Sequence, residues 1–453
     1  MNQAKPGGEV TRVRHVTTEA LLAPKQSNGF PMRGFDDEFA DIVDYIFKIT
    51  HRIWADRSVG QIYDYYDHAC QVYTAYDVTT SVEDVVNGTI AMMQSFPDRE
   101  SRFLNVAWSG DDVEGYYTSH LGFSQMTNVG PTPYGPATGH RVRIMHCADC
   151  VTRDNRIFRE WLVRDNGAVV RQLGFDIHDL ARRLADGDAA AGRAPWFVGE
   201  PERAPGQMLP RPLDRPKEGL ENRIAHVLHD AWNRRRLDVL RSFYAAGVNV
   251  HMAGGREITG TDGIVYHFIQ MLAAFPDALF SIDHYCDVEE TDGTIAAVRW
   301  SIRGHHRGDG LFGPSSGRPV YILGISHFRF EGDRVAEEWT IYDELAILRQ
   351  IYAQPKPLSK EDRSWPPSPF PASRSISAPS PRCSASTSPS PMVNSSSCSD
   401  PPAAARPRPC ASSRASRTHP PAQSTSASAW SMTCDRRIAT SPWCSRTTAS
   451  TRI

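Results

Sequence analysis

The chain has 453 residues, 40% of them hydrophobic and 23% charged, with a net charge of −2. That length and composition predict two or three domains with buried cores, and the near-neutral balance argues against a dedicated nucleic-acid binder. No apolar run is long enough for a membrane helix, and four scattered thiols before the final segment do not make a disulfide scaffold.

Residues 1–35 lack an apolar h-region and read as an N-terminal extension. From residue 36 the pattern turns helical: Phe39, Ile42, Val43, Ile46, Phe47, Ile53 and Trp54 recur at helical spacing. A second helix is predicted over 82–96, with Ser81 and Asp84 at capping-box-like spacing. Strands follow. The Pro-rich stretch 194–216 reads as a linker. The plan then starts again. Ile224, Val227, Leu228, Ala231 and Trp232 mark a helix, and Val248, Val250 and Met252 a short strand. A helix over 264–275 stops at Pro276. Three alternating strands follow, over 294–306, 320–330 and 335–343, the last two joined by a turn at Glu331-Gly332-Asp333.

Several short matches confirm that the plan is repeated. His51-Arg-Ile-Trp54 matches His229-Asp-Ala-Trp232, and Gly135-Pro-Ala-Thr-Gly139 matches Gly313-Pro-Ser-Ser-Gly317. Glu160-Trp161, Asp165 and Arg171-Gln172 match Glu338-Trp339, Asp343 and Arg349-Gln350, all 178 positions apart. Phe96-Pro-Asp98 matches Phe275-Pro-Asp277 at 179. The expected organisation is a first domain over 36–193, a linker over 194–216, a second domain over 217–356 and a tail over 357–453. Helices followed by antiparallel strands make each domain α+β. A curved sheet over the helices would form a cone with an open mouth, a common ligand site.

Residues 363–453 hold 24 Ser, 15 Pro, 11 Arg and no Lys, for a net charge of +9, against −11 for the rest. Without apolar periodicity this tail reads as disordered. Arginine without lysine, among scattered Cys, Trp, Ser and Pro, fits a GC-rich gene read out of frame better than a basic interaction tail or a phosphorylatable linker. Cys70, Cys147, Cys150 and Cys286 fit a reducing, cytoplasmic compartment. Cys147-Ala-Asp-Cys150 has no second ligand pair and reads as small buried residues on a strand.

Strand parity picks out candidate chemistry. Val335, Trp339, Ile341 and Asp343 share one parity, as do Ile157, Trp161, Val163 and Asp165. If that apolar face lines the cone, each copy ends in a desolvated carboxylate suited to acid/base work; the alternative is that both aspartates cap the next helix. His306 shares the parity of Trp300, and His120-Leu-Gly122 is aligned with His306-Arg-Gly308. His327 stands where the first copy has Asp149, and His251 where it has Tyr73. Trp300, Trp339 and Trp161 are expected in core or pocket wall, and Arg299 and Arg303 in solvent. No phosphate loop, dinucleotide fingerprint, HExxH or GxSxG occurs.

The second copy resembles the SnoaL-like polyketide cyclases of the nuclear transport factor 2-like superfamily. The carrying residues are Arg299-Trp300, Gly304-His-His-Arg-Gly308, Gly313-Pro-Ser-Ser-Gly317, Phe328-Arg-Phe-Glu-Gly332 and Glu337-Glu-Trp339 with Asp343. The first copy carries a thinner version. The resemblance implies two tandem cone-shaped α+β barrels, a small-molecule substrate and no metal or organic cofactor. It implies a ring-closing aldol condensation, with Asp343 (or Asp165) the base and His306 (or His120) holding the enolate. Trp339, Trp300, His327, His251, Trp161 and Tyr73 would then contact substrate. Because the family's single-domain unit dimerises, the fused pair is expected to be a monomeric pseudo-dimer that binds neither nucleic acid nor membrane. A non-catalytic binding or assembly module, and an epoxide or ester hydrolase, are the alternatives.

Overall fold

The computed structural model describes residues 10–201 and 211–353. The tail read as disordered, and residues 202–210 of the Pro-rich stretch, lie outside the described residues.

The first half runs α1 (Thr18–Leu22), α2 (Ile42–Trp54), α3 (Ile62–Tyr65), β1 (Tyr66–Tyr73), β2 (Val78–Thr79), α4 (Val82–Ser95), β3 (Glu100–Asp111), β4 (Gly115–Thr127), β5 (Arg141–Arg153), β6 (Arg156–Arg164), α5 (Asn166–Gln172) and α6 (Ile177–Ala191). The second runs α7 (Leu220–Trp232), α8 (Leu240–Phe243), β7 (Tyr244–Met252), β8 (Arg256–Thr259), α9 (Thr261–Ala274), β9 (Leu279–Glu290), β10 (Gly293–His305), β11 (Pro319–Glu331), β12 (Arg334–Tyr342) and α10 (Glu344–Tyr352). From α2 to α5 and from α7 to α10 the element order is the same. Local chemistry sets the ends. Asp41 accepts the Val43 and Asp44 N–H groups at 2.9 Å to start α2, and Ser81 accepts the Asp84 N–H at 3.2 Å to start α4. Gly332, at φ +61°, makes the turn between β11 and β12.

The fold is α+β around one large mixed sheet, ordered β2-β1-β6-β5-β4-β3-β9-β10-β11-β12-β7-β8. The order mirrors itself about the junction of β3 and β9, where Trp108 pairs with Asp287. An all-antiparallel sheet was expected from alternation alone; instead β1 lies parallel to β6, and β7 to β12. Alternation reports faces, not strand direction.

Hydrogen-bond register corrects the alignment of the histidines. Gly122 of β4 pairs with His146, and Trp300 of β10 pairs with Gly324, 178 positions later. His120 therefore stands where the second half has Val298, and His306 where the first half has Asn128. Asn128 and His306 do the same work: each backbone carbonyl accepts an N–H from the glycine closing its loop, Gly139 or Gly317. The connections from β4 to β5 and from β10 to β11 are equally long.

A second correction concerns the strand faces. Trp339, Ile341 and Val163 do not point into the cones. They pack in a core between the halves with Leu121, Cys147, Leu323 and Ile325, and Trp161 packs against it. Glu160, Leu162 and Arg164 face the first cone, and Glu338, Thr340 and Tyr342 the second. Both faces of β6 and β12 are covered, so an apolar parity alone does not mark the cone side. Arg299, expected in solvent, is buried in that interface. Its Nε lies 3.4 Å from Asp149 and 3.1 Å from the Tyr117 hydroxyl, and its guanidinium stacks 3.6 Å over Trp161. Arg303 pairs with Glu200 at 2.7 Å. Cys147 faces this interface and Cys150 the first cone, opposite sides of one strand.

Segments outside the repeat join the halves. Val13, Leu21, Phe30 and Phe35 enter the first half's core, while Arg14 grips Asp292 beyond β9 through two nitrogens at 3.0 and 2.8 Å. Ile177, Leu180 and Ala181 of α6 enter the second half's core. The start of the stretch read as a linker is packed, with Phe197 stacked 4.8 Å from Tyr321. No helix among the described residues is long and apolar enough to cross a membrane.

Candidate functional site

The two halves differ in what fills the space between helices and sheet. The first encloses a cavity of about 190 Å³ between α2, α4 and the strands. The second retains about 30 Å³. The cause is an exchange of sizes across one strand pair. In the second half Trp300 fills the cone, and Gly324 opposite leaves room: a Cβ there would stand 2.2 Å from the indole. In the first half the small residue is Gly122 and the large one His146, whose Cε1 would lie 3.1 Å from a Cβ on Gly122. An imidazole occupies less of the cone than an indole, and the cavity remains.

Chemistry follows the same division. Glu160 of β6 lines the first cavity and accepts the Tyr66 hydroxyl at 2.9 Å. The second half repeats this pair as Glu338 and Tyr244, at 2.6 Å. Burial pushes both glutamates up, with the tyrosine bond working against it. The first cavity adds Arg99, Arg102, His120, His146 and Arg164, whereas the second adds no arginine and has His267, Ser326, Thr340 and Tyr342. At the three strand positions matching His120, His146 and Arg164 the second half has Val298, Gly324 and Tyr342. Burial lowers His120 to about 4 and His146 further still, so both imidazoles are neutral at pH 7. Burial also lowers Arg99, to about 9, and Arg164, yet both stay charged at neutral pH. His146 Nε2 and Arg99 Nε meet the Ser124 hydroxyl at 2.9 and 3.1 Å, and Arg99 stacks 4.0 Å over Trp54. The Nδ1 of His120 is buried without a partner.

Of the residues singled out from sequence, only His120 lies in this cavity. Asp343 and Asp165 are helix N-caps between the halves. Asp343 accepts the Leu345 N–H at 3.0 Å and the Asn166 amide at 2.7 Å. Asp165 accepts N–H groups from Ala168, Gly254 and Gly255 and borders an open groove of about 330 Å³ shared with His251. Its carboxylate is already occupied by four such bonds. His306 is fully buried at the end of the second cone against Phe275 and Phe312, with Nδ1 3.2 Å from Ser316. Trp300 fills that cone, donating to Ser326 at 2.9 Å. His327 is buried between the sheets, 2.9 Å from Ser119. Trp339 stacks on His251, and Trp161 on Tyr73, outside both cones. Glu160 was visible in the matched segments and His146 was not, and only strand register turns both inward. Among the described residues no group of His, Cys, Asp and Glu is arranged to hold a metal ion.

The capping aspartates predict a pH effect. Burial pushes Asp343 up to about 7, opposed by Asn166 and reinforced by Asp165. A folded value above the unfolded one means this carboxyl stabilises the fold when protonated, and the contribution is lost as pH rises through about 4 to about 7. Relative to wild type, Asp343→Asn should gain on the order of 2–3 kcal/mol between pH 5 and pH 8 in urea unfolding. A pH-independent difference would mean that Asp343 is not desolvated.

The SnoaL-like polyketide cyclase family matches residues 222–351. No curated protein matches. Similar solved structures include IdmH from Streptomyces antibioticus, at 24% identity over 29% of this chain and 99% of that one, TM-score 0.26. TsrD from Streptomyces laurentii gives 22% identity, 31% and 99% coverage and TM-score 0.26. A SnoaL-like polyketide cyclase from Agrobacterium tumefaciens gives 22%, 30% and 98%, and 0.25. The family match spans the second half from α7 into α10, and that segment is similar to the SnoaL-like polyketide cyclases.

Proposed function

We propose that the first cone is a proton-transfer site of the cyclase/isomerase type and that the second is its filled, structural partner. At the level of the family, the match supports cyclase- or isomerase-type chemistry on a small molecule. The observation that carries the reading is one protonatable carboxyl facing two guanidinium groups and two neutral imidazoles in a cavity, an arrangement the second cone lacks. In this reading the chain is a tandem pair of cone-shaped barrels, over 36–193 and 217–356, packed as an internal pseudo-dimer. Shared burial of Leu121, Cys147, Trp339 and Ile341 between the halves supports it.

Glu160, rather than either capping aspartate, is the base. It takes a proton from a carbon between two carbonyls, and the C–H electron pair moves onto a carbonyl oxygen. Arg164 and an N–H of His120 stabilise that oxyanion in a low-dielectric site. The enolate carbon then attacks a second carbonyl of the same molecule, whose oxygen takes the proton back from Glu160. Tyr66, by donating to Glu160, orients the carboxyl and limits its basicity.

The test uses 1,3-dicarbonyl compounds in D2O, with exchange at the central carbon followed by mass spectrometry. Wild type should accelerate exchange, and Glu160→Gln should lower the rate about a hundredfold or more. Asp343→Asn should leave it near wild type. Full exchange by Glu160→Gln sinks the assignment.

A further inference from the structure

Taking the first cone as the substrate site, we propose that the substrate carries a carboxylate, held inside the cavity by Arg99 and Arg164. The cavity is short of negative charge. Arg164 has no hydrogen-bond or ion-pair partner among the described residues, and Arg99 has only the neutral Ser124 hydroxyl and the Trp54 ring. Two acids line the space. Asp84 is exposed at the rim and bonded to Ser81. Glu160 is held by Tyr66, and its burial favours the neutral form. Two guanidinium groups thus share a confined space with no more than one buried carboxylate, Glu160, an unfavourable arrangement unless a ligand supplies a second negative charge. His120 adds an independent sign: a 7% exposed side chain whose Nδ1 has no partner.

The basic groups also travel with the cavity. Where the cone is filled, their positions on β10, β11 and β12 hold Val298, Gly324 and Tyr342. Charge for its own sake, or for folding, would not require that coincidence. A carboxylate matches the planar two-donor edge of a guanidinium. A phosphate monoester, nearly dianionic at pH 7, would press its second charge against Glu160. The rest of a longer acid has somewhere to go: an outer groove of about 770 Å³ along α1, α2 and β3 shares Trp54, Arg99, Arg102 and Phe103 with the cavity.

The test is calorimetric titration of the full chain with benzoate, benzamide and phenyl phosphate. Benzoate should bind at least about tenfold tighter than benzamide. Arg164→Gln should lower benzoate affinity about tenfold and leave benzamide alone, while Arg164→Lys keeps part of the preference. The wild-type comparison stands by itself if the glutamine variant does not fold. Equal binding of benzoate and benzamide, tighter binding of phenyl phosphate, or no binding of benzoate overturns the proposal. Loss of dicarbonyl exchange with benzoate selectivity intact would instead overturn the proton-transfer reading alone.

Discussion

Replacing Asp149 by alanine is expected to destabilise the fold by about 3–5 kcal/mol. Asp149 is 1% exposed and Arg299 8% exposed, and each belongs to a different half. Burial pushes the Asp149 carboxyl up, and Arg299 at 3.4 Å and the Tyr117 hydroxyl at 2.9 Å oppose that shift. Bringing such a pair out of water is costly; splitting it costs more, because Arg299 would remain buried with the Tyr117 hydroxyl, the Trp161 face and the weaker pull of the Asp283 carboxylate. The double change Asp149→Leu with Arg299→Met should recover most of the loss, since no isolated charge is left behind. Denaturant midpoints for wild type, both single variants and the double variant measure this as a cycle. A single-variant cost below about 1 kcal/mol would show the pair to be hydrated and the sheet interface to be open.

Trp300→Ala should cost a similar amount, about 3–5 kcal/mol, because it empties the second cone. The indole packs among Phe280 and Tyr342 and donates to Ser326, so truncation removes apolar contacts and leaves the Ser326 hydroxyl with Thr340 as its partner. The partner position responds in reverse. Gly324→Ala alone should destabilise by about 1–3 kcal/mol through overpacking, because its Cβ would stand 2.2 Å from the indole. In the Trp300→Ala background the same alanine should cost almost nothing, as it enters space the indole has left. Additive costs would mean that the indole is not what keeps the second cone closed. The cycle thus tests the physical reason for an open first cone and a filled second one.

Much of the architecture was legible because it rests on local chemistry and on repetition. Helices α2, α4, α7 and α9 follow from apolar spacing with Ser81 as a cap, and Gly332 marks its turn. The repeat at 178 positions needs no structure to be seen. The candidate site was less legible. His120 was singled out, but through an alignment with His306 that the strand register does not support. The aspartates drew attention because Trp339 and Ile341 form the apolar parity of β12, yet that face packs on the other half.

What the sequence by itself determined is the main helices and later strands, the repeated segments 178 positions apart and the family resemblance of the second half. All of these depend on residues near one another in the chain or on identity between copies. Only the tertiary structure decided which face of β6 and β12 lines a cone, because both faces are covered and burial on either side writes the same alternation. It also decided which cone is open. That depends on two residues facing each other across a strand pair, His146 opposite Gly122 and Trp300 opposite Gly324, and on register, which neighbours in sequence do not encode.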